Sequence, residues 1–327
     1  MSQGAAFCNS KGIHLSDVLD AGTAFNKIQL FEAFADTLLA KDTYWKEFKV
    51  FENTISALYE ACKPEILEGH FRPLVPVFQY LRGVVDAHIG QADVDAVKQK
   101  IGELLDQSIV TANGAMFVAE AKTEFQIVKK GKILSLSQID FGKLKEEFKD
   151  KEFKHIEIAS LREFIEKKLE DMLKENSTRA NFAERLQEII NRYNAGGMNN
   201  ENDFDDLVNF AEDLKAEDER HIREGLTPDE LELFDILKKD RMTRAEEIKV
   251  KNAARHLLKR LIEEQPKVLV QDWFKDMQSR MRVKTAIEEV LDKDLPETYK
   301  KVLFKKKSQK LYELVYEYAA KGSKWAA

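Results

Sequence analysis

Glu120, Ala121 and Lys122 make a Glu-x-Lys triplet, half of the constellation with which a metal-dependent nuclease gathers acids and a lysine around a divalent cation. Such a site sets its acids on a strand. A β signal does follow the triplet, but the upstream strand ending in Asp is missing, because Asp106 falls in a helical pattern. The triplet reads first as an exposed charged turn, with a stand-alone metal-dependent nuclease using Glu120 and Lys122 as the enzymatic alternative. A second concentration of chemistry is the run Lys300, Lys301, Lys305, Lys306, Lys307 and Lys310, carried on a helix with Tyr299, Phe304 and Tyr312 nearby. It could contact DNA phosphates with salt-dependent affinity, dock a protein partner, or simply solvate a terminal helix. Of opposite sign is the face formed by Asp203, Asp205, Asp206, Glu212, Asp213, Glu217, Asp218 and Glu219, which could pair internally with Arg241, Arg244 or Lys249.

Other chemistries find no purchase. There is no Gly-x-x-x-x-Gly-Lys-Ser/Thr loop to cradle a phosphate and no Gly-x-Gly-x-x-Gly after a strand. Val84-Val85-Asp86-Ala87-His88 faintly echoes a helicase Asp-Glu-Ala-His box, but it lacks the second acid and reads as a helix end. The six histidines, at 14, 70, 88, 155, 221 and 256, are too scattered to converge as metal ligands. Catalytic, cofactor-binding and metal-binding residues are therefore assigned nowhere, and no cofactor is expected in this chain.

The elements that would position these groups are helices. Hydrophobic residues are 43% and charged residues 34% of 327, and only 14 Gly and 6 Pro interrupt them, a mixture suited to long amphipathic helices. Length allows one large or two modest domains. The net charge of −6 argues against a whole-domain polyanion binder while leaving local basic patches open. Two cysteines, Cys8 and Cys62, read as reduced thiols, and no signal-like or membrane-spanning run stands near the first residues, so a cytoplasmic setting is expected.

Apolar periodicity predicts helices through Leu30 to Leu39, Trp45 to Cys62, Leu74 to Leu81 (with a strand as the lesser option there), Val94 to Ile109, Ile158 to Leu173 and Phe182 to Tyr193. Further stripes follow at Phe204 to Leu214, around Ile248, Leu257, Leu258, Leu261 and Ile262, and from Tyr299 and Val302 to Tyr318. Trp273, Met277 and Met281 fall on one stripe, read as core, with a partner-helix groove as the lesser option. Thr227-Pro228-Asp229-Glu230 carries a capping box with proline in the first turn, and Gly196-Gly197 supplies a helix stop. The one β signal is a small hairpin near 125–135, turning at Lys130-Gly131. The expected fold is thus mainly α, a multi-helix bundle-like arrangement with at most one small hairpin. It divides into a weakly structured lead-in over 1–27 with one short helix near Leu15 to Leu19, a helical subdomain over 28–139, and a C-terminal helical domain over 140–321.

The run from Asn176 through Phe182, Leu186, Ile189-Ile190 and Tyr193 to Asn194, followed by Gly225-Leu226-Thr227-Pro228-Asp229-Glu230-Leu231-Glu232-Leu233-Phe234-Asp235, resembles the C-terminal helical region of the restriction subunit of type I restriction-modification enzymes. The resemblance continues through Val270-Gln271-Asp272-Trp273 and Met281-Arg282-Val283-Lys284-Thr285-Ala286-Ile287 to Leu311-Tyr312. Upstream, Phe51 to Tyr80, with Leu58-Tyr59-Glu60-Ala61 and Pro64, is similar to the helical segment after the second helicase lobe of that family. It covers most of the chain from about residue 40 and is most specific after Asp140. The family couples ATP-driven DNA translocation to cleavage, but those motifs lie N-terminal to the matched part. ATP and magnesium are implied only for those motor and nuclease regions, and no catalytic residue carries over. The chain then corresponds to a fragment or truncated product. Its implied role is to dock the motor onto the methyltransferase and specificity subunits, with DNA reached through the complex.

Overall fold

Thr23 opens the first long helix, its hydroxyl accepting from the Asn26 N–H, and similar local side-chain caps at Asp140, Thr227, Thr243 and Asp276 start four others. The computed structural model describes residues 1–61, 73–90, 136, 139–196, 199–263 and 268–325. Among these there are fourteen α-helices and no strand, so the chain is mainly α. The hairpin expected near 125–135, the helix expected at Val94 to Ile109, Cys62, Glu120 and Lys122 lie outside the described residues.

The chain divides into two units, Met1–Lys168 with Glu184–Leu214, and Leu169–Ala183 with Lys215–Ala327. In the first unit, α1 (Ser2–Ser10), α2 (Ser16–Asp20), α3 (Ala24–Leu39), α4 (Asp42–Ala61) and α5 (Leu74–His88) enclose a core of Phe31, Leu38, Phe48, Val77, Phe78 and Leu81. The stretch 1–27 contributes two helices and buries Cys8, Ile13, Leu15 and Val18 in that core. Gly4 shows why α1 escapes a reading by periodicity. A Cβ there would meet Ile55 Cδ1 at 3.0 Å, so the glycine permits close helix approach. The unit continues with α6 (Phe141–Lys149), started by the Asp140 carboxylate on the Lys143 N–H, and with parts of α7 (Lys154–Glu175), α8 (Ala180–Ala195) and α9 (Asn200–Asp218). Phe148 of α6 stacks on Phe204 of α9 with ring centroids 3.7 Å apart.

In the second unit, α10 (Arg220–Glu224) ends at Gly225, whose φ of 65° is the left-handed cap that glycine adopts without strain. The chain then enters α11 (Pro228–Leu237), α12 (Arg244–Ile262), α13 (Met277–Asp294) and α14 (Lys301–Ala320). Capping boxes start α11 at Thr227 with Glu230, as the sequence indicates, and α12 at Thr243 with Glu246. The core holds Leu231, Leu237, Val250, Ala253, Ala254, Leu257, Ile287, Leu291, Leu311 and Val315.

Some apolar positions assigned to buried stripes lie outside. Leu58, Ile248 and Val302 are exposed: Leu58 sits at the edge of its stripe, while Ile248 and Val302 lie on the opposite side of their helices from the buried residues Val250, Leu257, Leu311 and Val315. The stripe linking Trp273 to Met277 and Met281 divides. Asp276 caps α13 and starts it after Trp273, so the indole is fully buried in the preceding turn while both methionines are exposed on the helix.

Candidate interaction site

α14 begins at Lys300 with no side-chain cap and with no acid in its first turn. Lys300, Lys301, Lys305, Lys306 and Lys310 are exposed, and none of the five makes an ion pair among the described residues. Lys307 is turned the other way. Its ammonium donates to the carbonyls of Ile236 and Lys238, both at 2.6 Å, at the end of α11 where the last carbonyls lack helical partners and the helix dipole is negative. Burial, reinforced by Lys310 and Lys306, pushes its pKa below the usual lysine value. Of the six candidate lysines, five form an open ridge and one is an internal clamp.

Three acidic residues of α9 have arginine partners. Asp206 pairs with Arg192 at 3.0 Å and Asp213 with Arg185 at 2.5 Å, both in the first unit, while Glu217 pairs with Arg179 at 3.2 Å in the second. The cations are thus arginines of α8 and the turn before it, in place of the expected Arg241, Arg244 and Lys249. The physical reason is proximity: α8 and α9 are consecutive helices. Asp203, expected on the solvent side, is buried, and burial followed by the Asp206 charge raises its pKa.

The second unit also contains a polar junction that periodicity does not reveal. Glu232 of α11 is fully buried; one carboxylate oxygen accepts from the Ser177 N–H at 2.8 Å, the Ser177 hydroxyl at 3.0 Å and the Tyr318 hydroxyl at 2.7 Å. The other oxygen faces Lys324 at 3.2 Å, whose ammonium also reaches Asp229 at 2.8 Å and donates to the Glu175 carbonyl. Burial and the adjacent carboxylate push the Tyr318 phenol above its ordinary pKa. Nearby, Arg220 binds Asp235 and, at 2.8 Å, Glu217. Burial alone would raise the Asp235 carboxyl, but Arg220 and Lys238 outweigh it and hold it below its ordinary value. Every charge here has its counter-charge, and nothing presents a nucleophile or base to solvent. The junction positions Ser177, α11 and α14.

In the first unit a small cleft is lined by Leu39, Asp42, Trp45, Ile158, Arg162 and Tyr193. Its cation is already engaged, since Arg162 pairs with Asp42 at 2.9 Å and Glu166 at 2.8 Å. Asp36 accepts from the His155 and Ile156 N–H groups at 2.7 and 3.0 Å, capping α7, while the Tyr193 hydroxyl donates to the Leu39 carbonyl at 2.9 Å. Asp86 and His88 of the box-like sequence lie in the last turn of α5, with Asp86 held by Arg82 at 2.5 Å. No group of three or more His, Cys, Asp or Glu is placed to hold a metal among the described residues.

The family model that matches the chain is described as type I restriction enzyme HindI endonuclease subunit-like, C-terminal, and the match runs over residues 6–324. No curated protein and no solved structure matches.

Proposed function

Since the chain belongs to the family of C-terminal regions of type I restriction enzyme HindI endonuclease subunit-like proteins, we propose that it is a non-catalytic assembly region. It docks an ATP-dependent DNA translocase and nuclease onto the methyltransferase and specificity subunits of a type I restriction complex. The observation that carries this reading is the family match over residues 6–324. In this reading the chain needs no cofactor of its own, ATP and magnesium serving the motor and nuclease regions, and it works in the cytoplasm. Among the described residues no helix is long and apolar enough to cross a membrane, which fits that setting.

The test is co-elution. Purified chain should travel with the cognate methyltransferase-specificity complex on size exclusion; a chain that elutes alone while a full-length subunit co-elutes removes the docking role. A magnesium-dependent plasmid-nicking assay addresses the nuclease alternative: wild type and Lys122→Ala should both stay at background, and cleavage lost in the variant would restore it.

A further inference from the structure

We infer that the exposed lysine ridge of α14 is a contact for the phosphate backbone of duplex DNA, independent of base sequence. Lys301, Lys305, Lys306 and Lys310 project from α14 and Lys300 stands at its start, all exposed and none with an ion-pair partner among the described residues. Elsewhere in the same unit Lys238 pairs with Asp235, Lys239 with Glu246, Lys251 with Glu224, and Lys324 with Asp229 and Glu232, while Lys249, Lys259 and Lys293 are exposed singly; what sets α14 apart is five exposed lysines gathered within positions 300–310. The ridge is a local choice against the trend of a chain whose net charge is −6.

Its position adds to the argument. The helix macrodipole favours acids in a first turn, and α11 and α12 follow that rule with Asp229, Glu230, Glu246 and Glu247. α14 starts instead with Lys300 and Lys301 and no acid. These charges oppose the dipole and cost helix stability, so helix formation does not account for them. They also repel one another: the Lys306 and Lys310 charges help lower the pKa of Lys307. A polyanion relieves both penalties.

Two occupants carry negative charge, an acidic protein and a nucleic-acid backbone, and the surface favours the second. Protein interfaces gather aromatic residues, Met and Arg around an apolar centre and are depleted in Lys. The ridge offers lysines with Val302 as the exposed large apolar residue among them. The nine steps from Lys301 to Lys310 rise about 14 Å along the helix, against a duplex carrying one charge per about 1.7 Å of axis. Flexible lysines suit such a target, because they act as point charges without demanding bidentate geometry. The inference goes beyond docking and does not depend on the partner subunits.

The experiment is fluorescence anisotropy with the full chain and labelled duplexes of unrelated sequence, alone and without ATP. If all five lysines engage, the log–log salt slope approaches about −4.5; with three it is about −2.7, a loss of roughly 40- to 500-fold between about 50 and about 200 mM salt. Lys305→Glu with Lys306→Glu should weaken binding at least tenfold and reduce the slope by about 2. Lys305→Gln with Lys306→Gln should give a milder loss in the same direction, and Lys321→Glu, at a lysine paired with Glu317, should change little. Circular dichroism checks that each variant is folded. Salt-insensitive or undetectable binding by the wild type, or equal affinity in the charge-reversed variant, overturns the inference. Loss of co-elution with the methyltransferase-specificity complex in that variant, with duplex affinity intact, assigns the ridge to an acidic protein and overturns it equally.

Discussion

Glu232 sits in a run, Leu231-Glu232-Leu233-Phe234, that is buried at all four positions. Nothing local marks it, because its partners Ser177, Tyr318 and Lys324 stand 55, 86 and 92 residues away. That separation is why the lysine ridge was legible from the sequence and the junction was not: a charge run is local, whereas a buried carboxylate is defined by distant donors. Glu232→Ala should cost about 3–5 kcal/mol, because the Ser177 and Tyr318 donors lose their acceptor in a closed site. Lys324→Ala should cost less, about 1–3 kcal/mol, since three donors still hold the carboxylate. Urea midpoints at unchanged slope measure both, and a Lys324 variant as damaged as the Glu232 variant would contradict the account. Asp235 gives the pH dependence. Its folded pKa lies below the ordinary 3.8, so as pH falls the unfolded chain takes up the proton first and the equilibrium moves toward unfolding. Its contribution is therefore complete above about pH 5 and is lost as pH falls through 3.8 to the folded value. The urea-derived stability difference between wild type and Asp235→Asn should be flat from neutral pH to about 5 and shrink below about 4. A difference that grows on acidification would reverse the sign.

Helix starts and stops were the most readable features at the scale of the element, since caps are built from neighbouring residues. Thr227, Pro228 and Glu230 form the box their order implies, and α8 stops at Ala195 before Gly196 with φ of 73°. Helix faces are less legible than helix ends. α12 buries Val250, Ala253 and Ala254 while Ile248 and Ile262 lie outside, because close packing there selects small side chains that a hydrophobic pattern underweights. Two substitutions separate the roles on α14. Lys307→Met removes the donor shared by the Ile236 and Lys238 carbonyls and should cost about 1 kcal/mol, whereas Lys306→Met should stay within about 0.5 kcal/mol. Thr227→Ala should also cost about 1 kcal/mol through the lost α11 cap. Thermal or urea unfolding reads all three, and an equal response of Lys306 and Lys307 would remove the distinction between ridge and clamp.

For the whole molecule, composition alone indicated a mainly α fold, and the family match spans nearly all of the chain. The two cores are separate sets of side chains, one centred on Phe48, Phe78 and Leu81 and the other on Leu257, Trp273, Ile287 and Leu311. Much of the charge is spent inside the fold: arginines 179, 185 and 192 neutralise acids of α9, so that helix is a poorer recruiter of a basic partner than its sequence suggests. The lysine ridge keeps its charge for something outside. Docking and backbone contact then make separable demands, the first on folded surfaces wherever the partner subunits meet them, the second on five side chains. Lys305→Glu with Lys306→Glu should therefore co-elute with the methyltransferase-specificity complex as well as wild type while losing duplex affinity. Trp273→Ala should show a different pattern, because removing a fully buried indole costs about 3–5 kcal/mol, a large share of the roughly 5–15 kcal/mol that holds a typical domain folded. Near its lowered midpoint that variant should lose both activities together, in step with the loss of helical dichroism.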